Sequence, residues 1–154
     1  MNRRSFDEAM ESVVRRSTPA GTAMMLIDVD RFKMINDAHG HPAGDAALVH
    51  VAEVLREHVR AEDAVLARLG GDELAVLLSR CSTRAGASRA EDLLRAVAAS
   101  PLLLDDGTSV PLSVSIGVAH SAGATSAEEL YTAADDALYQ AKRAGRGRVT
   151  AMSH

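Results

Sequence analysis

The chain has 154 residues, enough for one domain with a sizeable core, and is 47% apolar and 25% charged, as soluble globular proteins are. Its net charge of −4, 3% aromatics and lack of Trp exclude a basic or stacking nucleic-acid surface but leave room for a small anionic ligand. The single cysteine, Cys81, excludes an internal disulfide, no apolar run nears the ~18 residues of a membrane span, and no signal-peptide core is present; cytoplasmic location without membrane contact is expected.

Residues 3 to 16 read as a polar helix. "TAMMLIDVD" (22–30) is an almost unbroken apolar run, the pattern of a strand buried on both faces. "RFKMINDAH" predicts a short helix stopped by Gly40, and Leu48, Val51, Leu55 and Val59 recur at helical spacing between Gly44 and Arg60. "AVLAR" and "LAVLLS" predict two strands joined through Gly70 and Gly71. Residues 83 to 99 read as a helix, and Asp106-Gly107 between β-prone runs predicts a second hairpin. Ser126 and Glu129 have capping-box spacing and open a helix to about Arg143, followed by a last short strand in "GRGRVTAM". No repeat or linker interrupts this order, so one domain spanning residues 1–154 is expected, an α/β layer protein with one sheet, two hairpins and a parallel crossover.

The chemistry concentrates in a few positions. Asp28 and Asp30 lie two apart at the end of the buried strand, so their carboxylates leave the same face. Two buried carboxylates need compensation, and Mg²⁺ supplies it while leaving positions for water and phosphate oxygens. An EF-hand is excluded, because Phe32, Lys33 and His39 stand where that loop needs a ligand, a glycine and a glutamate. Lys33 adds a charge at the start of the short helix, whose free N–H groups suit phosphate. Asn36 and Asp45 flank a turn; their groups suit the guanine edge, but taken alone they fit better as the end of one helix and the cap of the next. Lys142 and Arg146 end the last helix, either as macrodipole partners or as a triphosphate clamp. Gly70 and Gly71 allow a backbone to approach a ligand closely.

"DVDRFKMINDAHGHPAGD", "RLGGDEL", "SVSIGV" and "YQAKRAGR", in that order, resemble the GGDEF domain of bacterial diguanylate cyclases, from about Asn2 to Arg148. The resemblance implies a palm or ferredoxin-like nucleotidyl cyclase fold, a central, mostly antiparallel sheet wrapped by helices. It implies condensation of two GTP into cyclic di-GMP and two pyrophosphates at a two-fold homodimer, with two divalent ions, Mg²⁺ or Mn²⁺, per active site. By position, Asp28, the Val29 carbonyl and Asp72 match the metal ligands, and Asp72, Glu73 and Lys33 the catalytic set. The backbone near Phe32 matches the phosphate cradle, with the glycines Gly70 and Gly71 beside it. Asn36 and Asp45 match the guanine readers, and Lys142 and Arg146 the phosphate clamp.

Three departures stand out. Leu74 replaces the Phe that usually ends the signature, a core change of about 1–3 kcal/mol unless neighbours refill the space, with the ligands expected intact. An inhibitory R-x-x-D pair matches Arg60 and Asp63, but six residues separate Asp63 from Gly70, one more than the family spacing. Only "NRR" (2–4) remains of the family's N-terminal segment, so an excised domain lacking a regulatory partner is expected. The competing reading is a catalytically weak GTP- or cyclic di-GMP-binding regulatory module; an ATP-using cyclase is disfavoured by Asp45, an acceptor-only side chain.

Overall fold

Eight consecutive buried residues, Thr22–Val29, form the central strand β1. The computed structural model describes residues 3–16, 21–59, 64–123 and 126–152. Ahead of β1 lies helix α1 (Arg3–Arg16); after it come α2 (Phe32–His39) and α3 (His41–His58). The glycine hairpin is β2 (Ala64–Arg68) and β3 (Glu73–Ser79), followed by α4 (Thr83–Ala98). A small hairpin, β4 (Leu102–Leu103) with β5 (Ser109–Val110), leads to β6 (Val114–His120), α5 (Ala127–Arg143) and β7 (Val149–Ala151). Each element matches its expectation to within a few residues, and Ser126 caps α5 by accepting from the Glu129 N–H at 3.1 Å.

The main sheet has the order β2-β3-β1-β6-β7. All its neighbours are antiparallel except β6 and β7, which α5 joins as a parallel crossover. Alternation along β1 divides the core into two layers. Met25, Ile27 and Val29 face Leu48, Val51 and Leu55 of α3 and Leu93 and Val97 of α4. Met24 and Leu26 face Leu130, Ala134 and Leu138 of α5 and Phe6 and Met10 of α1. Asp28 falls in the second register, at the end of the strand where the α5 side opens.

Gly117 of β6 sets how closely α5 approaches. A Cβ there would meet the backbone nitrogen of Leu138 at 2.2 Å and the carbonyl oxygen of Ala134 at 2.3 Å. Helix and sheet backbones thus touch, and the last turn of α5 is brought over the end of β1.

Leu74 is 2% exposed and packs with the α3 layer, away from the α5 side. It borders an open groove of about 190 Å³ shared with Leu48, Val49, Ala52 and Leu66 and edged by Arg56 and Arg68. This groove lies beneath the turn, on the side away from Asp28.

Candidate functional site

Register alone brings three strands' polar residues together. Asp28 pairs with Glu73 of β3 on one side and with Ser115 of β6 on the other. Across-strand partners share a face, so Glu73 joins Asp28 on the side covered by α5. Asp28 is 6% exposed, and its Oδ2 is met by the Lys142 ammonium from the last turn of α5. Its Oδ1 is buried without a hydrogen-bond partner. Burial raises the Asp28 pKa above the ordinary value, Lys142 pulls it down, and Asp72 and Asp30 add repulsion. Burial likewise raises Glu73, with Asp28 adding repulsion and the Tyr131 hydroxyl, 3.3 Å from Oε1, opposing it.

Asp28, Val29, Phe32, Lys33, Asp72, Lys142 and Arg146 all line one cleft of about 240 Å³. With Asp30, which lines the cleft as well, eight of the positions singled out in the sequence converge, from β1 and the turn after it, α2, the glycine turn and the end of α5. Arg31, at the N-cap of α2, adopts a left-handed φ of +57° and gives no side-chain cap, so the first-turn N–H groups of α2 lack a side-chain partner. An anion is the natural complement to such a helix start beside Lys33. Among the described residues no group of three or more His, Cys, Asp or Glu is gathered as a ready metal cage. The orphaned Asp28 oxygen and the ammonium on its other oxygen nevertheless mark a place that calls for positive charge.

Asp30 departs from the expectation that it shares a cation with Asp28. It accepts from the hydroxyls of Ser113 and Ser115, both at 2.6 Å, and from the Gly147 N–H at 3.0 Å. Three donors compensate its charge, and it ties the loop carrying Arg146 to β6. Arg146 itself has φ +63°, held between Gly145 and Gly147, which are also positive.

Asn36 and Asp45 lie outside the cleft lining. The Asn36 Oδ1 accepts from the Gly44 N–H at 2.9 Å, joining α2 to α3. Asp45 sits 3.6 Å from Arg68 Nη2 and keeps its carboxylate 71% exposed. Arg68 also donates to the carbonyls of Gly70 and Gly71, at 3.2 and 2.9 Å, and so holds the turn from within. Sequence reasoning passed over Arg68, although it stands inside the "RLGGDEL" stretch. Neither glycine has a positive φ, and a Cβ on either would meet no atom within 4 Å. Arg60 and Asp63, the expected inhibitory pair, lie outside the described residues.

A family profile described as "Diguanylate cyclase, GGDEF domain" matches residues 1–148. The chain belongs to the GGDEF family. This GGDEF chain is 42% identical over 149 residues to the diguanylate cyclase TpbB of Pseudomonas aeruginosa, a match covering 95% of the chain and 34% of the relative. It spans about a third of that protein's length. The crystal structure of the P. aeruginosa YfiN (TpbB) GGDEF domain superposes with a TM-score of 0.94 at 36% identity, covering 100% of this chain and 97% of that one. The DgcB GGDEF domain of Caulobacter crescentus, solved in complex with c-di-GMP, gives 0.90 at 30% identity over 97% of this chain and 87% of the other. The palm-like fold is therefore that of GGDEF domains.

Proposed function

We propose that this chain, as a single catalytic domain over residues 1–154, is a diguanylate cyclase that condenses two GTP into cyclic di-GMP. The observation that carries the reading is the buried, half-partnered Asp28 carboxylate in the same cleft as Asp72, Lys33, Lys142 and Arg146. An inert surface would have no reason to keep such a charge out of water.

In this reading each domain holds one GTP. Arg146, Lys142 and Lys33 neutralise the triphosphate, and the uncapped start of α2 near Phe32 cradles it. Asn36 and Asp45 read guanine, which requires Asp45 to exchange its exposed ion pair with Arg68 for the base. The 3′-hydroxyl oxygen of one nucleotide forms a bond to the α-phosphorus of the other. The bond from that phosphorus to the bridging oxygen breaks, pyrophosphate leaves, and Asp72, which faces the cleft, takes the hydroxyl proton. Two divalent ions, Mg²⁺ or Mn²⁺, held by Asp28, Asp72 and the Val29 carbonyl would lower the hydroxyl pKa and stabilise the charge on phosphate. Repeating the step from the second nucleotide closes the ring, so a two-fold homodimer is the catalytic unit. Glu73 shapes the field beside Asp28. We read the chain as the cytoplasmic catalytic part of a longer regulated protein; the match to only a third of TpbB is consistent with a part of a longer chain.

The test is incubation with GTP and Mg²⁺ at high protein concentration, reading cyclic di-GMP by chromatography with Asp72→Ala as control. Product from the wild type alone supports the cyclase. No product under enforced dimerisation defeats it, and GTP binding that persists then identifies a regulatory binding module.

A further inference from the structure

Phe6 of α1 is fully buried, and Met10 one turn later is 4% exposed; both pack with Leu130 and Ala134 of α5. This fixes α1 across α5, and it carries Arg3, one turn before Phe6, to a defined place. The Arg3 guanidinium carbon lies 4.8 Å from the centroid of the Tyr131 ring, while its Nε lies 3.4 Å from Asp7 Oδ1 on the next turn. The Tyr131 hydroxyl in turn donates to Glu73 Oε1 at 3.3 Å. Among the charges around Glu73, Asp28 and Asp135 repel it and Arg3 attracts it.

Tyr131 is half-buried at the edge of the layer it packs against, so its ring contributes to packing while its hydroxyl reaches beyond it. A phenol aimed at the carboxylate does something packing does not require. We infer that Tyr131 is a positioning residue: it holds the Glu73 carboxylate beside Asp28, and Arg3 ties that hold to α1. The seating of α1 is thereby part of the site's geometry. A shift of α1 withdraws this attractive charge and loosens the phenol that restrains Glu73. The inference rests on the proposed cyclase reading for its kinetic consequence, but the contact itself does not.

The experiment has two arms. In steady-state kinetics, Tyr131→Phe keeps the ring under Arg3 and loses only the hydroxyl. It is expected to lower kcat about tenfold with KM for GTP within about twofold and an unchanged melting temperature. Arg3→Gln reproduces about a threefold loss, and Arg3→Lys restores the rate by returning a cation to the ring. An unchanged kcat in Tyr131→Phe, or a loss expressed wholly in KM, overturns the positioning role; an unchanged kcat in Arg3→Gln overturns the tie to α1. The second arm needs no turnover. The chain has no Trp and two Tyr, so in a Tyr139→Phe background the tyrosine emission reports Tyr131 alone. Glu73→Gln is expected to change that emission by removing the carboxylate that accepts from the phenol. Emission unaffected by Glu73→Gln overturns the contact, whereas a wild type without product and with the expected emission change defeats the cyclase reading alone.

Discussion

Asp28 and Glu73 are register partners on neighbouring antiparallel strands, two carboxyl groups side by side on the face that α5 covers. One carries Lys142 on its outer oxygen and the other a tyrosine hydroxyl, and burial raises the pKa of both. The folded state therefore keeps their protons to higher pH than the unfolded chain does.

Stability against pH follows with a definite sign. Native Glu73 binds its proton more tightly than unfolded Glu73, so its contribution to stability falls as pH rises from the unfolded value through the raised folded value. Above that window the cost is fully developed. Glu73→Gln removes it, so the melting temperature of the variant relative to wild type is expected to climb as pH rises above the ordinary carboxylate range and to level off once native Glu73 is ionised. A difference independent of pH in paired thermal scans would contradict this.

Lys142 compensates a carboxylate that is 8% exposed at its side chain, while its own is 37% exposed. Lys142→Ala is expected to cost about 1–2 kcal/mol, reduced from the value for a dry pair because the ammonium is partly solvated. A divalent cation can take over the vacated role. Millimolar Mg²⁺ should raise the melting temperature of the variant more than that of the wild type, and an equal response would argue against a cation on Asp28.

Asp30 separates latch from ligand. Asp30→Ala deprives the Ser113 and Ser115 hydroxyls of their acceptor and leaves Gly147 N–H only its longer bond to Ser115 Oγ, which is expected to destabilise by about 2 kcal/mol and to loosen the Arg146 loop. In the cyclase reading the KM for GTP rises about tenfold, equivalent to about 1.4 kcal/mol, with a smaller change in kcat. Mn²⁺ affinity, read by calorimetry without nucleotide, should stay within about twofold of wild type. A large loss of Mn²⁺ affinity would make Asp30 a ligand.

Gly117 has no room for a methyl group. Gly117→Ala presses a Cβ against backbone atoms of α5 that no rotamer change can move. A loss of at least about 3 kcal/mol is expected, readable by denaturant titration, together with displacement of Lys142 from Asp28. Wild-type stability in this variant would mean that α5 slides freely on the sheet.

Much of this molecule is legible in local pattern. β1 announces itself because burial on both faces leaves an apolar run, and α5 because Ser126 begins it and Leu130, Ala134 and Leu138 recur along one stripe. Family motifs likewise gather Asp28, Lys33, Asp72, Lys142 and Arg146, and they do line one cleft. What escapes the sequence depends on register and long-range approach. Spacing alone made Asp30 a twin of Asp28, because the serines that neutralise it lie 83 and 85 residues away. Tyr131 reads as one more residue of a helix until α1 and β3 are seen on either side of it. Arg68 reads as a strand-end charge until its two hydrogen bonds back to the glycine carbonyls appear.

Gly70 and Gly71 show neither a left-handed backbone nor a crowded Cβ position. The fold would accept a side chain at both. A saturation library at these two positions should therefore split cleanly, with most variants as soluble and heat-resistant as the parent and few retaining nucleotide affinity. Tolerance for folding and tolerance for binding would then part company at this turn; in the cyclase reading the demand for glycine comes from a nucleotide approaching the backbone rather than from the fold.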